Sequence, residues 1–296
     1  YKINKKIRFN KIILEENNNK FLIKNLNLDK KLKFVNLELL DFDYKNNNKI
    51  KNKFNIKKNK NNYEVTGKSF DATKLIDKLL SGGNNENISS IFNDLNSNID
   101  IKINKTYLDS VTFVNNLNGN LYFKDNEIYK LNLDSVFPNN KKLTISMSTN
   151  AKEEKITTLY SSYPLPIIKK YKFIKGFEDG ILDFYSIKKN NVSNSVLKID
   201  NFKVQEVPIL AKLLTLASLQ GIADLLTGEG IRFTDFEMKF SNNKELMTID
   251  EMYATGPAIS LLMDGYIETK KLISLRGTLV PATTINRTIA SIPLIG

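Results

Sequence analysis

Chemistry near neutral pH needs side chains that trade protons, attack, or bind metal, and this chain offers a narrow set. Its 296 residues include no His and no Cys. The commonest general base and transition-metal ligand is therefore missing. So are thiolate nucleophiles, disulfides and cysteine-based zinc sites. Carboxylates and lysines remain. The carboxylates cluster as Glu15-Glu16, Asp41/Asp43, Glu153-Glu154, Glu178-Asp179 and Asp250-Glu251. Glycoside hydrolysis needs two of them facing each other across a cleft at a set separation. Sequence neighbours on a strand point to opposite faces, which sets the adjacent pairs aside. Asp41 and Asp43 share a face, and a solvated turn between flanking carboxylates is the expectation there. No calcium-loop spacing occurs.

Two glycine motifs suggest phosphate binding and then fail. In "VTGKSF", 65–70, Gly67-Lys68-Ser69 has the ending of a phosphate-binding loop. That loop needs a glycine five residues earlier, where this chain has Asn62. The expectation is a plain strand-to-helix turn. "TGEG", 227–230, follows a helical segment, whereas phosphate sites place glycines before one. No Ser-x-x-Lys stands in a strand-to-helix context that would activate a serine. The sequence thus names no catalytic residue, metal ligand or cofactor.

The elements that would position such groups are mostly strands. Short alternating stretches such as "KIRFNKIILEE", "NKFLIKNLNLD", "KIKNKFNIKK" and "NYEVTGKSF" are separated by Asn/Lys turns. The period changes at "DATKLIDKLLSGG", 71–83, where Asp71 can cap and Gly82 can end a helix. Strands resume at 99. "PLPIIKKYKFIKGFEDG", 164–180, reads as a connection with a helical piece between Ile167 and Ile174, and Asp179-Gly180 reads as a turn before the strand "GILDFYSIKK". "VPILAKLLTLASLQGIADLL", 207–226, is the most apolar run. Ile209, Leu213, Leu216 and Ile222 would make it a helix that covers a sheet, lies in a lipid-facing mouth, or sits buried in a core. From 228 on, strict alternation with tight links predicts an antiparallel meander. The expected organisation is strand repeats over 1–70, a helical insertion and loop over 71–98, further strand repeats over 99–205, and a helix plus meander over 206–296. The chain reads as a fragment cut at both ends.

Charge bears on partners. Lys+Arg 44 against Asp+Glu 32 gives +12 and a pI near 9.4. The excess is mostly Lys, travelling with Asn and Ile, while the Arg favoured for phosphate and guanine contacts is scarce. No nucleic-acid motif is present. A basic surface near anionic lipid remains compatible.

Three stretches carry a family resemblance: "IDNFKVQEVPILAKLLTLASLQGIADLLTGEGIRF", "FEMKFSNNKELMTIDEMYATGPAISLLMDGYIETKKLISLRGTLVP" and "TTINRTIASIPLIG". Together, residues 200–296 resemble the C-terminal part of the AsmA-like superfamily of bacterial envelope proteins. "VTGKSFDATKLIDKLL" is similar to that family's strand-to-helix insertion. The resemblance implies an elongated, twisted antiparallel sheet forming an open groove with two or three short helices. It implies a periplasmic protein held in the inner membrane by an N-terminal anchor. The groove would carry phospholipid acyl chains between the inner and outer membranes, in outer-membrane biogenesis. The residues expected to line it are Phe236, Met238, Phe240, Ile249, Ile259, Leu261, Met263, Ile267, Leu275 and Leu279. Two readings stand beside this one: a structural or adhesive β-sandwich or solenoid that seals the same residues in a core, and a β-solenoid hydrolase with facing carboxylates.

Overall fold

The computed structural model describes residues 7–32, 34–60, 62–74, 76, 96–124, 127–169, 175–206, 230–243, 245–257, 259–268 and 272–281. Strands hold 77% of these, so the chain is mainly β, as alternation predicts. It divides into two compact units, Tyr1–Thr149 and Asn150–Gly296. The division falls inside the strand repeats expected over 99–205. The 207–226 run, with Ile209, Leu213, Leu216 and Ile222, lies outside the described residues.

Among the described residues the first unit contains ten strands. They are β1 (Ile7–Glu16), β2 (Asn19–Leu28), β3 (Phe34–Asn36), β4 (Leu39–Lys45), β5 (Lys51–Asn59), β6 (Asn62–Asp71), β7 (Ser97–Tyr107), β8 (Phe113–Lys124), β9 (Glu127–Val136) and β10 (Lys142–Thr149). β3 and β4 pair with the same strand, β2, as two halves of an interrupted neighbour. Most connections are hairpins. Asn17 and Asn18, with φ of 46° and 65°, turn β1 into β2. Asn tolerates this left-handed backbone, and positive φ at both central residues matches the twist of a two-residue hairpin. Asn140 and Asn190 take the same region at other turns, with φ of 60° and 55°.

One pairing departs from an all-antiparallel meander: β6 and β7 run parallel from Tyr63↔Ile99 to Asp71↔Tyr107. Parallel neighbours need a crossover of a dozen residues or more, and the 72–96 segment is long enough. Its first turn is visible: the Asp71 carboxylate accepts from the Thr73 N–H at 3.0 Å, and the Ile76 N–H donates to the Ala72 carbonyl. The 72–96 segment therefore has a topological role that alternation does not reveal; beyond its first turn, the helix expected over 71–83 lies outside the described residues. Gly67-Lys68-Ser69 lies inside β6, not at a strand-to-helix turn. A Cβ on Gly67 would sit 2.4 Å from Phe54 Cβ, so close strand approach explains the glycine.

Among the described residues the second unit is a meander of seven strands: β11 (Lys155–Ser161), β12 (Lys175–Lys189), β13 (Val192–Glu206), β14 (Ile231–Asn243), β15 (Leu246–Thr255), β16 (Ile259–Glu268) and β17 (Ile273–Pro281). Each pairs antiparallel with the next. A single helical turn, α1 (Leu165–Ile168), follows β11; it overlaps the helical piece expected between Ile167 and Ile174 only at Ile167 and Ile168, and 170–174 lie outside the described residues. The expected Asp179-Gly180 turn is instead a bend within β12. Asp179 (φ 61°) and Gly180 (φ 88°) face Asn201 (φ 52°) on β13, and the ladder resumes at Ile181↔Asp200. Left-handed residues on both strands deform the pair together, so the chain bends without reversing.

Candidate functional site

Register converts alternation into faces. In the first unit one row runs Ile12–Ile23–Leu40–Ile56–Val65–Ile101–Gly119–Leu133–Ile145 through nine strands. Every member is half-buried. The adjacent row on the other face continues Asp41–Asn55–Thr66–Lys102–Asn118–Asp134–Thr144. One residue of displacement thus separates an apolar face from a polar one.

An aromatic ladder lies beside the apolar row. Phe42 stacks on Phe54 at 4.7 Å, Phe21 meets Phe42 edge-on at 5.3 Å and stacks on Tyr44 at 5.2 Å, and Phe70 meets Phe54 edge-on at 5.1 Å. These rings are half-buried. The face therefore offers apolar area that its own sheet leaves partly uncovered. Composition and alternation place these strands, but the family resemblance drew attention to 228–279 and away from Phe21, Phe42, Phe54 and Ile56. The signal that finds them is the alternation in "KFLIKN" and "KFNIKK".

In the second unit the same logic gathers all ten expected lining residues on one face. Two rows run Ile199–Phe236–Ala254–Leu261–Leu279 and Leu197–Met238–Met252–Met263. A third joins Phe240, Ile249, Gly265 and Leu275, and Ile267 faces Met247. Their cover differs. Ile249, Ile259, Leu261 and Met263 are 3%, 0%, 9% and 9% exposed. Ile259, Leu261 and Met263 join a core with Ile168 of α1, Phe177, Leu182, Ile199, Phe202 and Phe233, against which Phe236, Leu275 and Leu279 pack. Phe236, Met238, Phe240, Ile267, Leu275 and Leu279 are half-buried. A sealed residue has already lost its apolar area to protein neighbours, so a ligand gains nothing further from it.

Polar groups on the opposite face are tied laterally. Glu237 accepts from Lys198 at 2.8 Å and from Tyr253 at 3.2 Å, and Lys239 reaches Glu237 at 3.5 Å and Glu251 at 2.8 Å. The Lys198 hydrogen bond holds the Glu237 carboxyl below its ordinary range. Asp43 lies within β4, not beside a solvated turn, and is likewise held down by Lys51 and Lys53. Asp200 is pushed up, first by burial and then by Asp235, its register partner, and Asp183. Neither Asp200 nor Asp235 lines either of two shallow cavities. One, of about 310 Å³, lies at Asn59, Asn62, Tyr63, Glu64 and Asp100, and the other, of about 260 Å³, at Tyr160, Phe184, Tyr185 and Val196. Among the described residues no cluster of three acidic residues could hold a metal, and no helix is long and apolar enough to cross a membrane. What this arrangement can do is bury apolar surface.

No family model, curated protein or solved structure matches the chain.

Proposed function

We propose that this chain binds lipid, its apolar sheet face holding phospholipid acyl chains so that they can be carried along it. The observation that supports this reading is the half-buried row from Ile12 to Ile145 with its aromatic ladder. A sheet face left half in water has area still to bury. Each methylene laid on it gains about 0.8 kcal/mol, so part of one acyl chain is worth several kcal/mol without directional contacts. The AsmA-like resemblance of residues 200–296 points the same way. With that resemblance go a periplasmic location, anchoring at the inner membrane, and delivery towards the outer membrane.

A second reading applies to one part of the molecule. The near-complete burial of Ile259, Leu261 and Met263 favours a packed, structural role for that region of the second unit. The two readings separate with a fluorescent fatty acid. Ile56→Asp places a charge on the half-open row and should abolish binding with the circular dichroism spectrum unchanged. Leu261→Asp buries a charge in a core and should destabilise the fold by about 3 kcal/mol or more before it affects binding. Wild-type binding by Ile56→Asp would mean that the first-unit face holds no ligand.

A further inference from the structure

The strand β2 leads into β3 through a tip that begins Asp29-Lys30-Lys31-Leu32. The Asp29 carboxylate accepts the Lys31 N–H at 2.8 Å, and the Asp29 carbonyl accepts the Leu32 N–H at 3.1 Å. The turn holds Leu32 at φ 59°, a left-handed backbone that glycine or asparagine takes easily and leucine resists. Leu32 is 67% exposed, and Val35 on β3 is 41% exposed. A large apolar side chain is thus kept in water at a position whose backbone favours asparagine or glycine.

Lysines accompany these apolar side chains. Lys30 and Lys31 directly precede Leu32, and both are exposed. The end of β5 is drawn alongside β3: the Lys58 N–H donates to the Glu38 carbonyl at 2.8 Å, and the Lys58 ammonium donates to the Asn36 side-chain oxygen at 2.6 Å. Lys60, also exposed, comes with it. Of the carboxylates near the tip, Asp29 is engaged in its own turn and Glu38 with Asn25. Among the described residues neither Lys30 nor Lys31 forms an ion pair. An anionic surface answers the lysines, and one with an apolar interior answers Leu32 and Val35 as well. Nucleic acid offers phosphates without that interior.

We propose that the β2–β3 tip is a membrane-docking site: Leu32 enters the headgroup boundary of an anionic bilayer while Lys30, Lys31 and Lys60 meet its lipid phosphates. A small apolar insertion and a few lysine contacts each add modest affinity, so the docking is reversible. It does not rest on the acyl-chain reading, since a bilayer surface holds this tip whether or not the sheet face carries lipid.

The chain has no tryptophan, which gives a clean test. Leu32→Trp should shift its emission to shorter wavelength when vesicles of equal parts phosphatidylglycerol and phosphatidylcholine are added, and not with phosphatidylcholine alone. Val111→Trp, at a position 81% exposed in the β7–β8 turn at the other end of these strands, should shift with neither. In vesicle flotation, Lys30→Gln with Lys31→Gln should weaken binding about 25-fold, a factor of about five for each lysine near the surface. Leu32→Gly suits the left-handed turn, so it should resist denaturant at least as well as the wild type and still lose binding several-fold. Circular dichroism checks that each variant folds. A Leu32→Trp emission unmoved by the anionic vesicles overturns the proposal. So does Leu32→Gly floating as well as the wild type, which would mark a plain polyanion-binding patch, or a wild type that floats equally with both lipid compositions.

Discussion

At Asn201 the backbone takes φ 52°, and the alternation of β13 changes phase there. Ile199 is buried before it, and Phe202 and Val204 are buried after it. Asn116 (φ 53°) does the same between Val114 and Leu117 of β8. Period-two reading locates such strands but misassigns faces beyond the switch, because nothing in an Asn announces a left-handed backbone within a strand. Asn201→Val should cost about 1–2 kcal/mol in chemical denaturation, since a β-branched residue resists that region, whereas Asn201→Gly should stay near wild type. The two carboxylates of the polar face should respond oppositely to pH. Glu237 titrates below its ordinary 4.5 in the folded state, so its contribution is present above that pH and fades as pH falls through the folded value. Glu237→Gln should lower the melting temperature at pH 7 and not in strong acid. Asp200 titrates above its ordinary 3.8, so ionisation costs stability as pH rises through the folded value. Asp200→Asn should raise the melting temperature at pH 7, with the gain vanishing below about pH 4.

Hairpins were the legible elements. Asn/Lys breaks mark β1–β2, β5–β6 and β12–β13, and the closing stretch "MTIDEMYATGPAISLLMDGYIE" reads correctly as β15, a turn and β16. The parallel β6–β7 pair was not legible, because local patterning records a strand's faces and not the direction of its neighbour. The aromatic ladder was hidden for a related reason: Phe21, Phe42, Phe54 and Phe70 come from four strands and meet only through register. Phe42 has ring contacts on both sides, so Phe42→Ala should cost about 2–3 kcal/mol, and Phe42→Leu should recover part of that by refilling the volume.

For the molecule as a whole, composition excluded more than it assigned. Without His or Cys, and with the failed glycine motifs, directional chemistry has little to work with. What remains is area, and its cover differs between the units: core residues of the second unit are sealed by protein, while the long row of the first stays half in water. Alternation could show that an apolar face exists. It could not show which part of that face stays open, because cover depends on side chains brought over the sheet from elsewhere in the chain, such as Ile168 of α1. The measurement that bears most directly on this account is mass spectrometry of organic extracts from the purified chain. The account predicts phospholipid at near-stoichiometric amounts in the wild type and its loss from Ile56→Asp. A lipid-free wild type, or an Ile56→Asp variant carrying as much lipid as the wild type, would contradict it.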